Sequence, residues 1–150
     1  MKLARLGPLA LSATLLSTSC GNDDPEREIR ATVAAAAAAV ESRDVGFFRD
    51  FVATAYHDSR GNDREQLLNL VRGYFIAHQR IAIVSRVEEV RLEGSDAAHA
   101  VVHAALAGQR VDESLLGGVG ADVYRFDIEL VDDGGKWRII GAQWQREVGE

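Results

Sequence analysis

The hydrophobic period of this chain changes once, at about Arg80, from near 3.6 residues to near 2, and that change separates a helical half from a sheet half. Upstream, Ile29, Val33, Ala36 and Val40 form one stripe of a first helix read as residues 28–42. The alanine run at 34–39 makes that helix slim and strongly helix-favouring, so it can lie close against a sheet. Asp44 is placed to cap a short second helix in which Val45, Phe48, Phe51 and Val52 share a face. The stretch YHDSRGND at 56–63 breaks the pattern. Asn62, with Glu65 three residues on, reads as a capping box opening a third helix. Its stripe is Leu67, Leu68, Val71, Tyr74, Phe75 and His78, and it is expected to be the longest of the three.

Downstream, IAIVSRVEEVRLEG alternates and then slips at Glu88 and Glu89, which predicts a β-bulge between Val87 and Val90. A Gly94-Ser95-Asp96 turn leads into AHAVVHAALAG. ADVYRFDIELV places Tyr124, Phe126, Ile128 and Leu130 on one face, DDGG signals a hairpin, and KWRIIGAQWQRE is the last strand. Three helices followed by a bulged, mainly antiparallel sheet of four strands or more indicate an α+β fold.

Ahead of this domain the chain carries a different grammar. Lys2 and Arg5 form a short positive region, residues 6–16 are apolar, and Ser17, Thr18 and Ser19 are small, which is the pattern of an export leader. The apolar run is shorter than the ~20 residues that cross a bilayer. Cys20 is the only cysteine, so no disulfide explains it. The stretch 16–20, Leu-Ser-Thr-Ser-Cys, resembles the lipobox of bacterial lipoproteins, with Ser17 where that motif usually has leucine. The resemblance implies diacylglyceryl (and palmitate-type acyl) attachment at Cys20 after removal of residues 1–19. Ser17 and Ser19 also satisfy the small-x-small rule of general export cleavage at the same bond, so plain secretion is the alternative. Residues 20–27 then read as lipidated cysteine and solvated linker, and 28–150 as the domain. Gly21 beside the cysteine points by analogy to the periplasmic face of the outer membrane.

Charge narrows the partners. The net charge is -6, and no Lys/Arg stripe offsets it, so nucleic acid is not an expected partner. The GGVG run at 117–120 lacks the strand-to-helix context of a phosphate loop, and no cofactor is expected. His99 and His103 fall on one face of a strand but roughly 13 Å apart, too far to share a metal ion, and none is expected.

The order of elements, the entry YHDSRGNDREQLLNLVRGYF and the terminal GGKWRIIGAQWQRE hairpin resemble the nuclear transport factor 2-like (SnoaL-like) superfamily over residues 28–147. That resemblance implies a cone in which a curved sheet wraps the helices around an apolar cavity. The superfamily holds isomerases, dehydratases and cyclases beside non-catalytic members, so the fold leaves function open. By position, Tyr56, His57 and Asp58 are the candidates for acid/base chemistry, with Asp58 as base; the competing reading makes 58–61 a turn. The oxyanion-stabilising tyrosine of steroid isomerases would fall at Ala36, which has no donor. Tyr56, Tyr74, His78, Tyr124 and Trp144 are candidate contacts for an apolar ligand, though aromatics at such spacings also build cores. The loop 108–122, with Leu115 and Leu116, reads as a lid, a dimer contact or a connection. Arg125, Asp127 and Glu129 make one face of their strand polar, so a homodimer through the sheet would be polar. The expectation is a membrane-anchored, non-catalytic module for a small apolar ligand or a protein partner. The alternative is an isomerase or hydro-lyase using Asp58.

Overall fold

The computed structural model describes residues 24–110 and 121–147. Cys20, the leader and most of the 108–122 loop therefore lie outside the described residues. Helix α1 spans Pro25–Ser42, α2 Val45–Phe51 and α3 Arg64–Ala77; the strands are β1 Val52–Asp58, β2 His78–Glu93, β3 Ala97–Arg110, β4 Ala121–Asp132 and β5 Trp137–Glu147. The curved sheet runs in the order β1-β5-β4-β3-β2, antiparallel except where β1 pairs with β5.

Helix α1 starts three residues earlier than the stripe of apolar residues suggests, and the expected linker ends there. The Asp24 side chain accepts from the backbone N–H groups of Glu26 and Arg27, and Pro25 fills a first-turn position whose missing N–H costs nothing. That extension makes α1 the longest helix, at 18 residues against 14 for α3, which reverses the expected ranking. The capping box of α3 is also displaced by one residue. Asp63 and Gln66 exchange the two reciprocal hydrogen bonds, because the backbone and side-chain amides of Asn62 are already given to Asp58. Asp44 caps α2 as expected, accepting from Phe47 N–H.

Strand β1 departs from the sequence pattern, which puts Val52 on a helix and residues 56–63 in a break. The chain instead passes from α2 into β1 with no intervening loop, and Arg64 fastens the junction by donating to the carbonyls of Val52 and Arg49. The bulge in β2 falls where the alternation slips, between Val87 and Glu89. There Arg30 of α1 donates to the Val87 carbonyl at 2.9 Å, tying the helix to the bend in the sheet.

The inner face of the sheet presents Ala98, Ala100, Val102, Ile128, Leu130 and Ile139 to Ile29 and Val33 of α1 and Leu68 of α3. These residues make one contiguous core. Among the described residues no helix is long and apolar enough to cross a membrane.

Candidate functional site

The helices do not fill the concave side of the sheet. A cavity of about 260 Å³ remains between α1, α2, α3 and strands β1 to β5. Ala36 and Ala37 keep its helical wall thin, Phe48 and Phe51 close one side, and Phe126 and Trp144 rise from the sheet. Small alanines opposite aromatics leave space that larger side chains would occupy. Of the residues lining it, only Tyr56 and Ser85 carry hydroxyls, and none is charged.

Tyr56 is fully buried, at 1% exposure, and its hydroxyl donates to Asp58 Oδ2 at 3.3 Å. Asp58 itself does not line the cavity. Its Oδ1 accepts the backbone N–H groups of Arg60 and Asn62, each at 2.9 Å, and its Oδ2 also accepts from Asn62 Nδ2 at 2.9 Å. The carboxylate thus closes the turn at 58–62, where Gly61 takes a positive φ of 82°. Burial pushes the Asp58 carboxyl up, but hydrogen bonds from Asn62, Arg60 and Tyr56 outweigh it and hold it below the ordinary range. Burial and the neighbouring carboxylate push the Tyr56 phenol well above its ordinary value. The pair is therefore a neutral phenol bonded to an ionised carboxylate.

The remaining sequence candidates separate into groups. Trp144 lines the cavity, with the exposed Arg60 guanidinium 4.4 Å from its ring centroid. His57 faces away from Tyr56, exposed, its Nδ1 3.0 Å from the Ala55 carbonyl. Tyr74 and His78 stack on each other at 4.1 Å over Gly108, where any Cβ would sit 2.6 Å from the His78 ring. Tyr124 shares that end of the sheet, 6.1 Å from Phe126. Tyr74, His78 and Tyr124 thus gather beside the cavity and not in its wall. Ser85 was missed by the sequence reading, although its place in the alternation Ile83-Ser85-Val87 assigns it to the inner face.

The outer face of the sheet carries a separate polar cluster. His103 Nε2 lies 2.6 Å from Glu88 Oε2 and Nδ1 lies 3.1 Å from Glu147 Oε2, while Arg125 reaches both Glu88 and Asp127. Both ring nitrogens can donate only when the imidazole is protonated. Hydrogen bonds to Glu88 and Glu147 accordingly raise the His103 pKa above 6.5, and the bond from His103 lowers that of Glu88 below 4.5. A raised histidine stabilises the fold fully below its unfolded pKa and loses that contribution as pH rises through the folded one; a lowered glutamate does so above its unfolded pKa and loses it as pH falls. The cluster's full contribution therefore lies between about pH 4.5 and 6.5. In an NMR titration His103 should titrate above 6.5, and Glu147→Gln should lower that value. An unchanged midpoint in the variant would dissolve the cluster.

A wider hollow of about 390 Å³ lies on the surface between α1, α2 and the β4–β5 hairpin, edged by Glu28, Asp50, Lys136 and Arg138. Its charged edge sets it apart from the inner cavity, which no charged residue lines. Among the described residues no group of three or more His, Cys, Asp or Glu is arranged to hold a metal ion.

No family model and no curated protein matches the sequence. Solved structures do match the coordinates. A candidate scytalone dehydratase from Novosphingobium aromaticivorans aligns with a TM-score of 0.74 at 8% identity, over 83% of this chain and 85% of that one. A ketosteroid isomerase-like protein from Erwinia carotovora atroseptica gives 0.67 at 12% identity, over 85% and 99%. A nuclear transport factor 2-like superfamily protein from Salmonella enterica gives 0.67 at 13% identity, over 83% and 92%. Identities this low carry the architecture and nothing of the chemistry. Helices, bulged sheet and cavity together give this chain the nuclear transport factor 2-like fold.

Proposed function

We propose that this chain is a bacterial lipoprotein, tethered through Cys20 at the periplasmic face of the outer membrane, whose domain binds a small apolar molecule without transforming it. The observation that carries the binding role is the unfilled apolar cavity of about 260 Å³. The anchor rests on the lipobox-like stretch 16–20. Two acyl chains there make a durable tether, since each buried methylene adds about 0.8 kcal/mol.

The enzymatic reading has one observation in its favour, the Tyr56–Asp58 hydrogen bond at the cavity wall. Against it, Asp58 is held ionised by four hydrogen bonds and is a weak proton acceptor. Position 36, in the cavity wall, offers no donor to an oxyanion. A protein partner or a homodimer would use the outer surface, where the sheet is polar around His103 and Arg125.

Native mass spectrometry of the protein purified gently from a bacterial envelope tests the binding role: a retained small molecule supports it, and a mass that matches the bare chain counts against it. Asp58→Asn should leave that binding in place, whereas abolished turnover of an identified ligand would restore the enzymatic reading. For the anchor, Cys20→Ser should end incorporation of labelled palmitate and move the protein from the membrane to the soluble fraction. Persistence in the membrane fraction would rule the tether out.

A further inference from the structure

We infer that the bilayer meets this domain at the end where α1 begins, and that the surface hollow there seats a phospholipid headgroup bearing both a phosphate and an ammonium group; this rests on the tether proposed above. The first ground is reach. Four peptide links separate Cys20 from Asp24, the cap of α1, so an anchor on the cysteine stays within roughly 14 Å of that helix start. Glu28, on the edge of the hollow, lies one turn further on, roughly 6 Å along the helix. The cavity is lined from the later half of the same helix, by Ala36, Ala37 and Val40, and Phe51 stands between the two spaces.

The neighbouring turns complete this end. Glu41 Oε1 accepts from Ile83 N–H at 3.2 Å and Arg30 donates to the Val87 carbonyl, so α1 runs antiparallel to β2 and its start points toward the β2–β3 turn. Asp132 N–H donates to the Asp96 carbonyl at 2.8 Å, which holds the β4–β5 turn against that one. Glu93, Asp96, Asp132 and Asp133 sit at these turns, against Lys136 alone. An anionic bilayer repels such a surface, and a zwitterionic one does not.

The second ground is charge complementarity. The hollow of about 390 Å³ has an aromatic floor, Phe47, Phe51 and Trp137, and an edge carrying Glu28 and Asp50 beside Lys136 and Arg138. Arg138 is held by Asp133 at 2.9 Å and by the Asp50 carbonyl. Glu28, Asp50 and Lys136 are exposed, and among the described residues their side chains form no hydrogen bond or ion pair. Unpaired charges of both signs around one hollow match a group that itself carries both. The phosphate oxygens accept from Lys136, and the ammonium meets Glu28 and Asp50. A headgroup with a phosphate alone leaves the two carboxylates facing its negative charge. Seated in this way, the domain holds its cavity on the side away from the bilayer, and the cavity's ligand exchanges with the aqueous phase and not with the lipid.

The two tryptophans of β5 read the seating, since Trp137 lines the hollow and Trp144 the cavity. The protein purified from the bacterial envelope is reconstituted in vesicles of phosphatidylethanolamine and phosphatidylcholine that include a lipid with a nitroxide on its headgroup, a short-range quencher. In Trp144→Phe, which keeps Trp137, emission should fall at least about twofold; in Trp137→Phe, which keeps Trp144 roughly 23 Å further along β5, it should not change. Adding Lys136→Glu to Trp144→Phe should remove about half of the quenching, the effect of one exposed charge pair, and vesicles of phosphatidylglycerol should do the same to the unaltered hollow. If Trp137→Phe fails to fold, the Lys136→Glu comparison, made on an exposed side chain, still decides. Quenching of Trp144 as strong as that of Trp137 would overturn the orientation. Quenching of Trp137 that ignores both Lys136→Glu and the lipid's charge would overturn the headgroup site. Failure of the tether reads differently: the protein would not float with the vesicles at all, and the seating would fall with it.

Discussion

In an Ala36→Phe variant, binding of naphthalene, a small apolar probe of the cavity, should fall by about a hundredfold, close to 2.7 kcal/mol, while the thermal midpoint stays level or rises. Ala36 lies on α1 and forms part of the cavity wall. A phenylalanine there sends a ring into space that is now unfilled, so the usual cost of overpacking a dense core is largely absent. Burial of the ring offsets the lower helix propensity of phenylalanine relative to alanine, about half a kcal/mol. The ligand meets the same ring as an obstacle. Calorimetric titration beside a thermal unfolding curve separates the two effects. A variant that unfolds easily would mean that the cavity is already closed in solution, and one that binds normally would place the ligand elsewhere.

The same alanines show how far the sequence could be read. Local signals were sound wherever a single residue acts on its own neighbours. Asp44 caps α2, the slip at Glu88 and Glu89 marks the bulge, and the DDGG turn joins β4 to β5. Reading failed where a distant group decides. Strand β1 pairs in parallel with β5, its residues 84 to 87 positions from their partners, and no hairpin turn announces such a pairing. Asn62 looks as competent a cap as Asp63, and only the Asp58 carboxylate, which occupies its amides, settles the choice. The site divides on the same line. Of the ligand set expected from sequence, Tyr56 and Trp144 line the cavity: alternation along β5 gives Trp144 the inner face, whereas Tyr56 reaches it from β1, a strand that the sequence does not announce. Tyr74, His78 and Tyr124 were grouped with them, and the path of α3 past Gly108 draws them together beyond the cavity's end. A serine among apolar residues is quiet in composition, yet its neighbours' alternation had already assigned Ser85 to the inner face.

Stability and binding should therefore come apart in the opposite sense at Leu130. Its side chain is among the most deeply buried, at 1% exposure, and belongs to the core without lining the cavity. Leu130→Ala removes three buried carbons and leaves a void that the packed sheet and α1 cannot collapse around, at a cost of about 3–4 kcal/mol. For a domain of this size that lowers the thermal midpoint by roughly 10–15 °C. Naphthalene affinity, measured at a temperature where the variant is fully folded, should remain within about twofold of the original, since the cavity wall keeps its shape. Ile128, two residues earlier on the same strand and the same inner face, does line the cavity. There Ile128→Ala should cost stability and change affinity together. If Leu130→Ala lost its affinity for naphthalene while still folded, the cavity would depend on the packing of the whole core and not on the residues of its wall alone.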